Sequence, residues 1–292
     1  MKVKLQEFRE IDDFPSGSGI EYFNEKLYVI GDDAKDIMVL DKKWRKETSI
    51  PLFDSAELRI PKKIKADLEA STIIELNKIP RLLVLGSGST LNRNRAILVN
   101  LDDHYKEEMD ITGFYNRIKD NLDHVNIESA AVILGKLLLG NRGNLGSPEN
   151  NIIVTDMDFW KHPEQAEWNK VIFKMPEEFP RDKMLGLSGM TYSHKNDWLI
   201  CTMSTESTTN AYDDGAIGDS YLAIVENASR KIFRKKMNVN EVINLSEVDE
   251  AFKGYKIESA TILSEKDGRL KMHLVADNDT GKTYLFRIRL KG

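Results

Sequence analysis

Residues 256–289 read KIESATILSEKDGRLKMHLVADNDTGKTYLFRIR, and the fold is decided by how this stretch divides. An acidic residue and a small-residue step, Glu258-Ser259-Ala260, lead into a short strand, Thr261-Ile262-Leu263, and a turn at Lys266-Asp267-Gly268. A second apolar run, Leu270–Ala276, ends in the polar loop 277–281, and a third, Tyr284–Ile288, closes the unit. Strand, tight turn, strand, polar loop, strand describes three legs of an antiparallel meander.

The same unit recurs four times upstream. Ser18-Gly19-Ile20 leads to LYVIGDD and IMVLD, Glu69-Ala70-Ser71 to RLLVLGSGS and AILVNLD, Glu128-Ser129-Ala130 to KLLLGNRGN and NIIVTDM, and Ser188-Gly189-Met190 to WLICTMSTES and YLAIVEN. Taking Ser18, Glu69, Glu128, Ser188 and Glu258 as equivalent, the copies are spaced by 51, 59, 60 and 70 residues. Several strands per repeat at such periods predict an all-β chain, a five-bladed β-propeller of four-stranded antiparallel blades, with residues 1–292 as a single domain. The last copy ends after three strands, so the run Val3–Ile11 is expected to supply its missing outer strand. The other outer strands are expected at Lys46–Leu52, Tyr105–Ile111, Lys170–Met175 and Lys231–Met237. Apolar spacing predicts helices over Phe114–Val125, Trp160–Trp168 and Val239–Phe252.

Composition narrows the function classes. With 41% hydrophobic and 30% charged residues the chain is an ordinary globule with ample core. A net charge of −5 speaks against nucleic acid as partner, and the cluster Arg230, Lys231, Arg234, Lys235, Lys236 reads as the solvated edge of an outer strand. No apolar run reaches membrane-spanning length and residues 1–10 lack a signal core, so a cytoplasmic protein with no membrane partner is expected. Cys201, the single cysteine, lies in the apolar run WLICTM and reads as a buried thiol; His273, inside KMHLVAD, reads as structural.

In a propeller the first strand of each blade lines the axis, which explains Gly19, Ala70, Ser129, Gly189 and Ser259 at equivalent positions. The residue before each is different: three glutamates and two serines point to one end of one axis. Three gathered carboxylates raise one another's pKa, and a cation relieves that conflict. Oxygen-only donors select Ca²⁺, with Ser18, Glu69, Glu128, Ser188 and Glu258 as ligands. A hydrated polar plug is the alternative. The loops between second and third strands surround the same mouth with Asp32, Asp33, Lys35, Arg93, Arg95, Arg142, Glu206, Asp213, Asp214, Asp277 and Asp279, a polar site for a small-molecule ligand.

The ring order Ser18, Glu69, Glu128, Ser188, Glu258 resembles that of the calcium-activated nucleotidase (apyrase) family, as do SGIEYFNEKLYVIGDD, IESAAVILGKLLLGNRG, GLSGMTYSHKNDWLICTMSTES and YKIESATIL. The resemblance implies a five-bladed propeller with calcium on its axis and hydrolysis of a phosphoanhydride or phosphoester. By position, Asp32, Asp33 and Glu206 match the acidic residues that serve the chemistry, and Arg142 matches a phosphate-contacting region; Lys35 and Asp277 join it as substrate-binding candidates. Here a single arginine stands in Asn141-Arg142-Gly143 where the family tends to have two, and Ser204-Thr205 where a lysine precedes the acids. Two other functions compete: a non-catalytic propeller that binds a ligand or protein over a structural metal, and a glycosidase, against which stands a mouth without an aromatic platform.

Overall fold

The inner strands carry small residues because they meet around one axis, and at Gly189 the structure shows how little space is left. A Cβ on Gly189 would stand 2.6 Å from the carbonyl oxygen of Glu258 and 2.7 Å from the Cα of Ser259, the backbone of the next inner strand. The computed structural model describes residues 1–180, 184–206 and 217–292, without the side chains of Glu206 and Ile217. Five antiparallel blades follow one another in a ring. Their inner strands are Gly17–Phe23, Leu68–Leu76, Ile127–Ile133, Leu185–Ser193 and Lys256–Lys266. Each packs on the next, and the fifth returns to the first.

Blades one and two have four strands each in chain order, ending at Lys46–Pro51 and Lys106–Asp110. Blade five is completed by Lys2–Ile11, which pairs antiparallel with Thr283–Lys291 from Lys2 opposite Lys291 to Ile11 opposite Thr283. The expected closure is therefore observed. Alternation explains it: Val3 and Leu5 pack on the blade's core while the residues between them face solvent. Phe8 lies 4.6 Å from the ring of Phe286 and 5.2 Å from that of Tyr255.

The stretch 227–252 departs from expectation. Lys231–Met237 is not the outer strand of blade four; Glu241–Asn244 is, pairing with Tyr221–Ile224. The chain between instead crosses to the neighbouring blade, turns helically over Ala228–Lys231, and adds Lys236–Asn238 parallel to the outer strand Trp168–Lys174 of blade three. Ala228, Ile232 and Met237 anchor this detour in the core between the two blades. Val239–Phe252 is accordingly not one helix. Its i, i+3 apolar spacing is served by a strand, one helical turn at Leu245–Val248 and a 3₁₀ turn at Glu250–Phe252. The other two helices are shorter than expected, Thr112–Lys119 and a 3₁₀ turn at Phe159–Lys161, and Trp168 already begins a strand.

Removal of residues 1–11 exposes the edge of Thr283–Lys291 and loses the burial of Val3, Leu5 and Phe8. At about 1 kcal/mol for each half-buried side chain, the loss of about 3 kcal/mol lowers Tm by ~6–12 °C. Thermal melts of the truncated chain check this, and an unchanged Tm would refute closure by this strand.

Candidate functional site

Five backbone irregularities build the site. The pairing of inner with second strand skips a residue between Gly17 and Gly19, Leu68 and Ala70, Ile127 and Ser129, Leu187 and Gly189, and Ile257 and Ser259. The skipped residues are Ser18, Glu69, Glu128, Ser188 and Glu258. Each is thus the extra residue of a β-bulge, a device that re-aims a side chain out of the ladder. The equivalence drawn from weak sequence repeats is a geometric one, repeated in all five blades.

The structure surrounds this ring with cations from the chain itself. Nη1 of Arg142 donates to Glu128 Oε2 at 2.9 Å and to Ser188 Oγ at 2.6 Å, and Nη2 donates to Ser204 Oγ at 3.0 Å. Lys256 Nζ stands 3.1 Å from Glu258 Oε1. Lys65 Nζ binds Asp32 and lies 2.8 Å from Asp67 Oδ1, close enough to Glu69 to favour the charge of both. Ser18 is turned aside: its hydroxyl donates to the carbonyl of Leu68 at 2.6 Å and ties blade one to blade two. Arg142 is nearly buried and occupies space that Gly186 leaves open, since a Cβ there would stand 2.4 Å from its Nε.

Around the ring opens a cavity of about 400 Å³. Nine carboxylates line it, from Asp32, Asp33, Glu57, Asp67, Glu69, Glu128, Glu258, Asp277 and Asp279, against six cations, from Arg59, Lys62, Lys65, Arg93, Arg142 and Lys256. Among the described residues its lining holds no aromatic ring. Asp32, Asp67 and Glu69 each offer an oxygen within 4.8 Å of the others. Oδ1 of Asp32 and Oδ1 of Asp33 are buried without a hydrogen-bond partner. The other oxygen of Asp33 takes the Nε of Arg59 at 2.8 Å, which fastens the segment 53–67 across the rim.

Burial dominates the electrostatics. It pushes Asp32 up to about 7, with Lys65 pulling the other way and Asp33 and Asp67 adding to the rise. It does the same to Glu258, also to about 7, opposed by Lys256 and Arg142. Glu69 is raised well above the ordinary carboxyl range by burial and by the neighbouring Asp67, Asp32 and Glu128. Asp277 is raised by burial, although the amides of Asn278 and Asp279 donate to it.

Asp32, Asp33, Arg142 and Asp277 thus converge with the ring residues Ser18, Glu69, Glu128 and Glu258 on one cavity, and Ser188 is joined to them through Arg142. Lys35 does not line it; its ammonium donates to the carbonyl of Ser55 at 3.0 Å. Glu206 ends a strand, but its side chain, like Asp213 and Asp214, lies outside the described residues. Asp67, Lys65 and Lys256 were missed by the motif reading. No strand period marks them, because Asp67 takes a left-handed backbone with φ of 54° and Glu69 and Glu258 are themselves bulge residues, where the alternation breaks. Cys201 is fully buried, which holds its thiol protonated, and His273 accepts from Trp44 Nε1 at 2.7 Å and is pushed down to about 3 by burial and Arg287. Both are structural, as expected.

A family model described as "Family of unknown function (DUF6929)" matches residues 13–290. No curated protein matches the sequence. Among solved structures, the glutaminyl cyclase of Myxococcus xanthus superposes with a TM-score of 0.54 at 8% identity, over 99% of this chain and 97% of that one. An N-acetylgalactosamine deacetylase from F. plautii, in complex with blood group B trisaccharide, does so with a TM-score of 0.54 at 8% identity, over 97% and 91%. At such identities the likeness is one of fold.

Folded Glu258 keeps its proton to about pH 7 whereas an ordinary carboxyl releases it near 4.5, so between these values the folded state binds more protons. Stability therefore falls as pH rises through that window, by a cost of order 3 kcal/mol for this group. Glu258→Gln flattens the slope in urea titrations at pH 4.5 and 7.5; an equal slope in both proteins would refute the assignment. Gly186→Ala displaces the Arg142 guanidinium from its buried place and costs about 1–3 kcal/mol in the same assay.

Proposed function

The chain belongs to this family of unknown function, which brings no activity with it, and we propose that its axial mouth binds a divalent cation, Ca²⁺ by its donor chemistry, and hydrolyses a phosphoester or phosphoanhydride of a small molecule. The observation that supports this is the charge balance of the cavity, nine carboxylates to six cations, with oxygens of Asp32 and Asp33 buried and unpartnered. Oxygen donors without thiol or imidazole suit a hard cation. Asp32, Asp67 and Glu69 would hold it, in the place now taken by the Lys65 ammonium. Bound there, such an ion supplies polarisation of a phosphoryl oxygen.

The chain's own groups have separate tasks in this reading. Arg59, half exposed at the rim, and Lys62 hold the remaining negative charge of a phosphorylated ligand. Glu258, poised near neutrality, carries the proton to the leaving oxygen. Arg142 is engaged with Glu128, Ser188 and Ser204, so its task is to hold the ring together rather than to grip substrate. The ring order shared with calcium-activated nucleotidases supports the same chemistry. A second reading, a ligand-binding propeller without turnover, is favoured by one observation: Glu128, Glu258 and Glu69 each have a basic side chain of the protein beside them.

Dialysed protein is expected to bind one Ca²⁺ by calorimetry and to gain about 2.7 kcal/mol at a hundredfold excess over Kd. Asp67→Asn abolishes this gain, and Lys65→Met, which clears the place of the ion, increases it. Phosphate release from nucleotides, sugar phosphates or inositol phosphates requires the ion, and Glu258→Gln slows it by about a hundredfold or more while sparing Ca²⁺ binding. Ca²⁺ binding without turnover on any of these would leave the binding-module reading; neither binding nor turnover would refute both roles of the cation.

A further inference from the structure

The detour 227–240 on the outer rim has no part in the axial site and carries a surface of its own. A groove of about 520 Å³ there is lined by Arg230, Lys231, Arg234, Lys235 and Lys236 with two asparagines, and by no carboxylate. Among the described residues no acidic side chain forms an ion pair with Arg234, Lys235 or Lys236. The amphipathic turn is fixed from beneath by Ala228, Ile232 and Met237, all buried, so its charges are presented on a rigid base. At its apex Phe233 is 66% exposed, next to three consecutive exposed cations. Lysines placed only to block edge pairing need no exposed aromatic ring among them.

We propose that this turn docks the rim of the propeller on an anionic phospholipid surface, the groove taking headgroup phosphates and Phe233 entering the interface. Cations around one exposed ring are the pattern of interfacial binding, where the ring sinks to the acyl boundary and the long basic side chains reach back to the phosphates. The rest of the molecule favours a plane over a polyanionic strand. The chain's charge of −5 becomes −10 once these five cations are set aside. The patch is short and the remainder of the chain is net negative, which suits a plane that meets the rim at one place better than a long polyanion that must follow the surface. The docking is peripheral: among the described residues no helix is long and apolar enough to cross a membrane.

Co-sedimentation of the full chain with vesicles tests this, using phosphatidylcholine alone and phosphatidylcholine with 30% phosphatidylglycerol, at about 50 and 500 mM NaCl. Binding is expected only to the anionic vesicles at low salt. Replacing Arg234, Lys235 and Lys236 together by Ala weakens it by about a hundredfold, near fivefold per charge, with Tm unchanged. Phe233→Ser weakens binding several-fold and leaves its salt dependence as it was. Inorganic phosphate at millimolar concentration and a 20-nucleotide RNA are run as competitors and as ligands. No sedimentation at low salt, equal binding to neutral vesicles, or retention of RNA without vesicle binding would each overturn the proposal. Loss of vesicle binding in the triple variant with intact Ca²⁺ binding separates this surface from the axial site.

Discussion

Three glutamates gathered at one end of a narrow axis, Glu258 buried and Glu69 and Glu128 partly so, cannot stand alone, and much of the mouth is an answer to that constraint. An unpaired charge taken out of water costs several kcal/mol, and removal of one partner of a buried pair costs 3–5 kcal/mol. The chain meets the cost blade by blade. Arg142 comes from the second-to-third strand loop of blade three and binds Glu128 of its own blade and Ser188 of the next. Lys65 arrives from the crossover between blades one and two, and Lys256 precedes Glu258 in the same strand. Arg142 and Lys65 therefore join neighbouring blades as they neutralise the mouth, whereas Lys256 serves its own blade alone.

The backbone prepares this by a repeated defect. A strand with perfect register would send successive side chains into the spaces between blades, where Ile20, Met190 and Ala260 are packed. The bulge at each ring position breaks that alternation once and frees a polar residue for the axis. Hydrogen bonds between blades lie beside it: Ser18 to the Leu68 carbonyl, Thr202 to the Glu258 carbonyl, and the amide of Gly17 to Thr283. The polar ring is held by neighbours on both sides, which gives the cavity walls little freedom to collapse when their charges repel.

The repeats made the fold legible because each blade must solve the same packing problem, and small residues beside a polar one mark the axis even where identity is low. The closing strand Lys2–Ile11 was legible for a similar reason: three strands after Glu258 leave a sheet one short. The detour of 227–240 was not, because a three-residue parallel strand has no period to read and Lys236–Asn238 looks like any outer strand. Val242, Leu245, Val248 and Phe252 share a helical spacing that strand, turn and 3₁₀ turn also satisfy when the chain wraps a corner. Of the site, ring and mouth acids were visible, whereas the partners of the ring were not. Arg142 was given to substrate because its reach across Gly186 is a tertiary fact. Asp67 was passed over because motif matching follows the bulged residue and not its neighbour two positions back.

The pairing of Lys2–Ile11 with Thr283–Lys291 also sets the order of events during synthesis. The first strand emerges from the ribosome before any of its partners exist, and its register is completed by residues some 280 positions later. Throughout elongation it must stay extended and unclaimed while four blades form, and the half-built ring must not close on itself as a smaller circle. Lys2, Lys4, Arg9 and Glu10, all exposed, keep it soluble during that wait. Such a chain is expected to reach its native state late and in one cooperative step, governed by loop closure over nearly its whole length.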